Sequence, residues 1–126
     1  MSRLRESLIE LIRRTSAEIP DDVQTAILRG LEQEKEGTIA KSAMEIIERN
    51  IGLAKSKSQP ICQDTGSILF YVDCPVGMNQ VEFAQESREA VKEATKLGYL
   101  RQNSVDSVTG KNDGTNLGPG SPNLHF

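Results

Sequence analysis

The amino-acid sequence predicts an α+β, helix-rich fold, with a bundle-like helical N-terminal half and a small sheet. Three observations carry this. Apolar residues recur at spacings of three and four through the first half, the period of amphipathic helices. A short apolar, β-prone run from Ser67 to Val72 then breaks that period. From Asn103 to Phe126 the chain is dominated by Asn, Gly, Ser, Thr, Asp and Pro, with no sustained period at all.

The first helix is expected over about residues 3–16, where Leu4, Leu8, Leu11 and Ile12 share one face. The second is expected over about 21–34, entered through Pro20 and a capping box of Asp21 and Gln24, with Val23, Ala26, Ile27 and Leu31 inward. Gly37 breaks the chain and Thr38 caps a third helix, about 38–56, carrying Ile39, Ala43, Ile46, Ile47, Ile51 and Ala54. Pro60 pushes Gln59 toward an extended backbone, and Ile61 to Gly66 has no helical period. A largely buried strand follows at about 67–72, stopped by Asp73-Cys74-Pro75. Asn79 with Glu82 caps a fourth helix, about 80–97, apolar at Phe83, Ala84, Ala90, Val91, Ala94 and Leu97; Gly98 ends it in the left-handed conformation. The loop-rich segment 103–126 is long for a compact domain, so a functional loop or a loose tail is expected there.

Composition narrows the function classes. With 126 residues, 37% hydrophobic and 26% charged, the chain is globular rather than disordered and long enough to bury a core. Trp is absent and aromatics are 4%, so Ile, Leu, Val and Ala must fill that core. The net charge is -3, with Lys and Arg scattered among acids, which argues against a nucleic-acid footprint. No apolar run approaches the ~20 residues of a membrane span. Charges at Glu10, Arg13 and Arg14 break any export signal, so Cys62 and Cys74 are expected as reduced thiols in a cytoplasm.

Cys62 is followed by Gln63, Asp64, Thr65 and Gly66, which favour turns and polar contacts rather than a core. By itself it reads equally as a structural thiol or as a metal-ligating or reactive one. Cys74, beside Pro75, reads as a packed or half-buried thiol. The two lack CxxC spacing, and two thiols cannot fill a usual iron–sulfur site. Gly110-Lys111 is no phosphate loop, because the upstream glycine and the strand–helix context are missing.

The segment Pro60-Ile61-Cys62-Gln63-Asp64-Thr65-Gly66 resembles the Pro-x-Cys-Gln-Asp-Thr-Gly segment of class I, iron–sulfur-dependent fumarate hydratases and tartrate dehydratases. Tyr99-Leu100-Arg101-x-Asn103-Ser104-Val105 is similar to the same family, as are Thr109 to Asn112, Asn116 to Gly120 and Leu124-His125-Phe126. The order and spacing agree over essentially the entire chain, which therefore resembles the N-terminal part of the alpha subunit, a partial domain of a larger hydro-lyase.

The resemblance implies that Cys62 is one of three thiolates holding a [4Fe-4S] cluster, whose remaining iron acts as a Lewis acid on the substrate hydroxyl. It implies Arg101 as a clamp on a carboxylate of a small dicarboxylate substrate, where by itself Arg101 reads as an exposed arginine suiting a helix end. Gln63 is implied as a carboxylate donor. Asp64 is implied as the catalytic group that holds or shuttles the hydroxyl proton, though an Asx turn before Gly66 is the plainer reading, and both can hold. Asn112 and Asn116 belong to the polar loop and are expected to line the substrate pocket. His125, the only histidine, is a further substrate-binding candidate.

The implied reaction is reversible hydration of fumarate to L-malate. L-Tartrate dehydration is the alternative within the family, and a non-catalytic helical interaction module the alternative outside it; the intact Cys-Gln-Asp-Thr-Gly run and Arg101 argue against the latter. The family's other cluster cysteines lie further along the alpha chain, and a beta subunit completes its active site. This stretch alone is therefore expected to hold no stable cluster and to be inactive. Exposed apolar helix faces favour self-association, so a homo-oligomer is expected.

Overall fold

The structure, a computed structural model, describes residues 1–62 and 67–126. Its elements in chain order are α1 (Arg3–Ala17), α2 (Asp21–Gln33), α3 (Ile39–Lys57), β1 (Leu69–Tyr71), α4 (Gln80–Lys96) and β2 (Asn123–His125). The helix-rich α+β class expected from the pattern is the class found.

The helix starts follow side-chain chemistry. The Ser2 hydroxyl caps α1 by accepting from the Arg5 N–H. Thr38 caps α3, accepting from the Lys41 N–H at 3.2 Å, and Asn79 caps α4, accepting from the Val81 and Glu82 N–H groups. At α2 the expected Asp21–Gln24 box does not form. Pro20 takes the cap position without a side-chain bond, so Asp21 is already inside the helix, one place too far along to cap it. Asp21 and Asp22 instead lie in the first turn, where the helix dipole favours carboxylates.

Two helices stop by the same device. After α4, Gly98 has φ +82, its N–H donates to the Thr95 carbonyl (3.1 Å), and the Tyr99 N–H reaches back to the Ala94 carbonyl (2.9 Å). After α3, Ser58 takes φ +50, donates to the Lys55 carbonyl (3.4 Å), and is followed by Gln59 donating to the Ala54 carbonyl (3.1 Å). Each reversal redirects the chain into the segment that follows: Pro60–Cys62 in one case, Leu100–Ser104 in the other.

The core lies between the first and last helices. Leu8 and Ile12 of α1 meet Ala90, Val91 and Ala94 of α4, and Phe70, Phe83 and Leu100 close the cluster. Small residues on α4 let the helices approach closely. Ser87 and Thr95, also buried there, donate to the Phe83 and Val91 carbonyls at 2.8 Å, so neither hydroxyl is stranded. α2 and α3 pair beside this core. α2 buries no residue and α3 only Ile51 and Ala54, while Ile39, Ile46 and Ile47 of its apolar face stay exposed.

The strand expected over about 67–72 narrows to Leu69–Tyr71, and only Phe70 of it is buried. One face packs on the helices and the other is open, so burial alternates rather than running continuously. Its partner comes from the segment read as loop. β2 runs parallel to β1, pairing Leu69 with Asn123, Phe70 with Leu124 and Tyr71 with His125. The ladder extends through Asn123 N–H to the Ile68 carbonyl and Val72 N–H to the His125 carbonyl, both 2.8 Å. Three residues are too few to display a strand period, and their partner lies some fifty positions upstream.

Candidate active site

Pro60, Ile61 and Cys62 are held between two helices. Pro60 is buried. The Ile61 N–H donates to the Ser16 carbonyl at the end of α1 (3.0 Å), and the Asn50 side-chain amide of α3 donates to the Ile61 carbonyl (3.0 Å). The backbone is thus anchored up to the residue before Cys62, while the Cys62 side chain itself is exposed. The thiol is therefore presented at the surface of this chain rather than packed in its core. Gln63, Asp64, Thr65 and Gly66 lie outside the described residues.

Cys62 lines a cleft of about 750 Å³ together with Thr15, Ser16, Ser67, Phe70 and Tyr71. A second cleft of about 820 Å³ is walled by polar loop residues, among them Ser104, Asp106, Lys111 and Asn112. Ser67 lines both. The clefts therefore meet at the residue that directly follows the 63–66 segment.

Arg101 is exposed and directly follows Leu100, which lines the first cleft, while Asn103 and Ser104 line the second. Asn112 lines the second cleft, but its amide is also engaged: Nδ2 donates to the Gln102 carbonyl (2.6 Å) and Oδ1 accepts from the Gly114 N–H (2.8 Å). Asn116, expected from its loop to line the pocket, is instead only 2% exposed. Its Oδ1 accepts from the Asn103 and Ser104 N–H groups (3.1 and 3.2 Å), and its Nδ2 donates to the Thr95 hydroxyl (3.1 Å) and the Arg101 carbonyl (2.6 Å). Both ends of that amide are taken by the protein, which leaves none for a ligand. His125 is exposed and stacks on Tyr71, ring centroids 4.9 Å apart and planes at 14°. Through Tyr71 it borders the cleft that Cys62 lines.

The loop's acids are structural. Asp106 accepts from the Thr109 N–H (2.6 Å) and hydroxyl (2.8 Å) and from the Val108 N–H (3.1 Å), which together hold its carboxyl below the ordinary range. The Thr115 hydroxyl, and then its N–H, do the same for Asp113. Asp106 and Thr109 went unmarked in the sequence; the one local signal is that an aspartate can accept from backbone N–H groups two or three residues on, and their place in the cleft wall comes only from the fold. Cys74 is half-buried, its Sγ 3.8 Å from the Gln80 amide nitrogen. Among the described residues no three Cys, His, Asp or Glu side chains gather as a metal site, and no helix is long and apolar enough to cross a membrane.

Residues 5–125 match the family described as fumarate hydratase (Fumerase). The chain is 45% identical, over its whole length, to a protein of Geobacillus stearothermophilus provisionally named class I fumarate hydratase, of which it covers 24%. It is 31% identical over 98% of its length to a protein of Methanocaldococcus jannaschii provisionally named L(+)-tartrate dehydratase subunit alpha, covering 45% of it. Identity to the L(+)-tartrate dehydratase subunit alpha of Escherichia coli strain K12 is 30%, over 97% of this chain and 40% of that one. The chain thus spans 24–45% of the length of these relatives. With its motifs in order and a family match from Arg5 to His125, the chain belongs to the fumarate hydratase (Fumerase) family.

Proposed function

We propose that this chain is part of an iron–sulfur-dependent hydro-lyase that interconverts fumarate and L-malate in the cytoplasm. The observation that carries the reading is the 45% identity to a class I fumarate hydratase along the whole chain, against 30–31% to tartrate dehydratase alpha subunits. The fit to a cluster can be judged at Cys62. Its thiol is soft, exposed and carried on an anchored backbone, which suits one thiolate ligand; the described residues do not assemble the other two. A [4Fe-4S] cluster with one iron free of protein ligands would supply Lewis-acid polarisation of the substrate hydroxyl.

The chain's own residues do the rest. Arg101 clamps a carboxylate of the dicarboxylate through its planar fork, and Gln63 donates its amide to the same class of oxygen. Asp64 holds the hydroxyl proton and returns it in the reverse direction. Asn112 borders the polar cleft where a substrate chain would extend, and His125 borders the Cys62 cleft through its ring contact with Tyr71. The rest of the alpha subunit and a beta subunit supply the missing cluster ligands and the carbon-proton base, in a homo-oligomeric assembly. The 126-residue chain by itself takes up no stable cluster and is inactive; anaerobic reconstitution followed by iron and sulfide analysis checks this.

The decisive test uses the whole protein purified without oxygen. Cys62→Ser should abolish turnover and lower the iron content, and L-malate should be a better substrate than L-tartrate. Unchanged iron and turnover in Cys62→Ser would refute the reading. Preference for L-tartrate would move the protein to the tartrate dehydratase branch.

A further inference from the structure

Asn116 has a left-handed backbone, φ +58, which asparagine tolerates better than other side-chain-bearing residues, and only 2% of its surface is exposed. Its four hydrogen bonds converge on one place. The carboxamide oxygen receives the N–H groups of Asn103 and Ser104, and the nitrogen holds the Arg101 carbonyl and the Thr95 hydroxyl. Thr95 lies in the last turn of α4 and donates in turn to the Val91 carbonyl at the centre of the core. The Ser121 hydroxyl fixes the Asn116 carbonyl from the other side (2.7 Å). Four positions earlier, Asn112 takes the Gln102 carbonyl. The two asparagines thus grip the turn from Arg101 to Ser104 by all four of its residues.

We infer that Asn116, seconded by Asn112, is a positioning residue: it clamps the turn from Arg101 to Ser104 onto α4 so that the Arg101 guanidinium meets a substrate carboxylate in one orientation. This rests on the carboxylate-clamp role proposed above for Arg101. The physical need is plain. Arg101 is exposed and its side chain is long and rotatable, so precise placement must come from its backbone. Free loop backbone would leave the side chain's point of attachment mobile; a saturated, buried amide fixes that point and narrows what the guanidinium can reach.

The test uses the whole enzyme, prepared anaerobically, with Asn116→Gly as the main variant because glycine accepts the left-handed backbone without strain. Asn112→Ala is the second. For Asn116→Gly, KM for L-malate should rise roughly ten- to hundredfold with kcat little changed. In an Arg101→Ala background the same substitution should add nothing to KM, because its effect runs through Arg101. Asn112→Ala should shift KM in the same direction by less. Amide exchange at Ser104 reads the clamp without turnover: it should quicken at least roughly tenfold in Asn116→Gly, while Val91 exchanges as before. Unchanged exchange at Ser104 overturns the clamp. Faster exchange with KM effects that simply add to those of Arg101→Ala overturns its positioning role and leaves a structural one. A wild-type enzyme with no turnover on L-malate or L-tartrate defeats the proposed function and the clamp's service to a dicarboxylate with it, whatever the exchange shows.

Discussion

Arg5 and Glu86 join the first helix to the last through a two-pronged ion pair, Nε to Oε2 at 3.0 Å and Nη2 to Oε1 at 2.9 Å. The Ser2 hydroxyl, which caps α1, donates to the same carboxylate. These bonds, Arg5 first and Ser2 second, hold the Glu86 carboxyl below its ordinary value near 4.5. A depressed carboxyl stabilises the fold above its unfolded-state value, and the benefit disappears as pH falls through the lower folded-state value. Glu86→Gln should therefore melt below the wild type at neutral pH. The gap should close as pH falls through that lower folded-state value. Glu10, Asp106 and Asp113 are also held low, but they are common to both proteins and cancel. Thermal unfolding across that range checks this, and a gap independent of pH would rule out the pair as its cause.

Packing predicts a second asymmetry. Leu8 is 6% exposed at the α1–α4 contact, whereas Leu28 of α2 is 39% exposed. Leu8→Ala should cost about 2–5 kcal/mol, from lost burial and a cavity the helices cannot fully close. Leu28→Ala should stay within about 0.5 kcal/mol. Denaturant midpoints decide, and equal losses would mean that the core is drawn in the wrong place.

How far the chain announced this arrangement depends on what each residue had to say locally. Thr38, Asn79 and Gly98 act through bonds to neighbours within a few positions, and their roles as caps and stop were legible. The helical stripes of α1 and α4 were equally plain, because apolar period survives without knowledge of the partner. That α1 would choose α4 over its neighbours was not written in either stripe. Nor was the pairing of Asn123–His125 with Leu69–Tyr71, which only the closed fold brings together.

The site divides along the same line. Cys62 and Arg101 stood out through motif order. Asn112, expected to line the substrate pocket, lies in the wall of the polar cleft. Asn116 was expected at the pocket because a polar residue in a polar loop looks like a ligand contact, whereas the structure buries it with its amide fully bonded to the protein. Only tertiary structure shows that its carboxamide bridges a turn thirteen residues upstream to a helix still further back.

The two helix stops make opposite predictions. Ser58 and Gly98 carry out the same reversal, but only glycine does so without steric cost. Ser58→Gly should raise stability by about 0.5–1 kcal/mol, the left-handed penalty less the weak 3.3 Å contact from Arg13 to the Ser58 hydroxyl. Gly98→Ala should lower it by about 1 kcal/mol. Melting temperatures shifting in the same direction for both would contradict the shared geometry.

The proton carrier can be argued by comparing acids. Asp106 lines the polar cleft and is the nearest rival to Asp64 for that role. Its carboxylate, however, is bound by the Thr109 hydroxyl and by two backbone N–H groups, all of which favour the ionised form. A carboxyl kept ionised by three hydrogen bonds to its Oδ1 has little tendency to take up a proton at neutral pH. Asp113 is tied to Thr115 in the same way. Asp64 follows the proposed cluster ligand by two positions, and the role proposed for it above can be tested against Asp106. In the whole enzyme Asp64→Asn should cut kcat by roughly 10²–10⁴ with a much smaller change in KM, and remove one limb of the pH–rate profile. Asp106→Asn should instead loosen the loop and leave that limb in place. Should the limb vanish in Asp106→Asn and persist in Asp64→Asn, the assignment of the two acids must be exchanged.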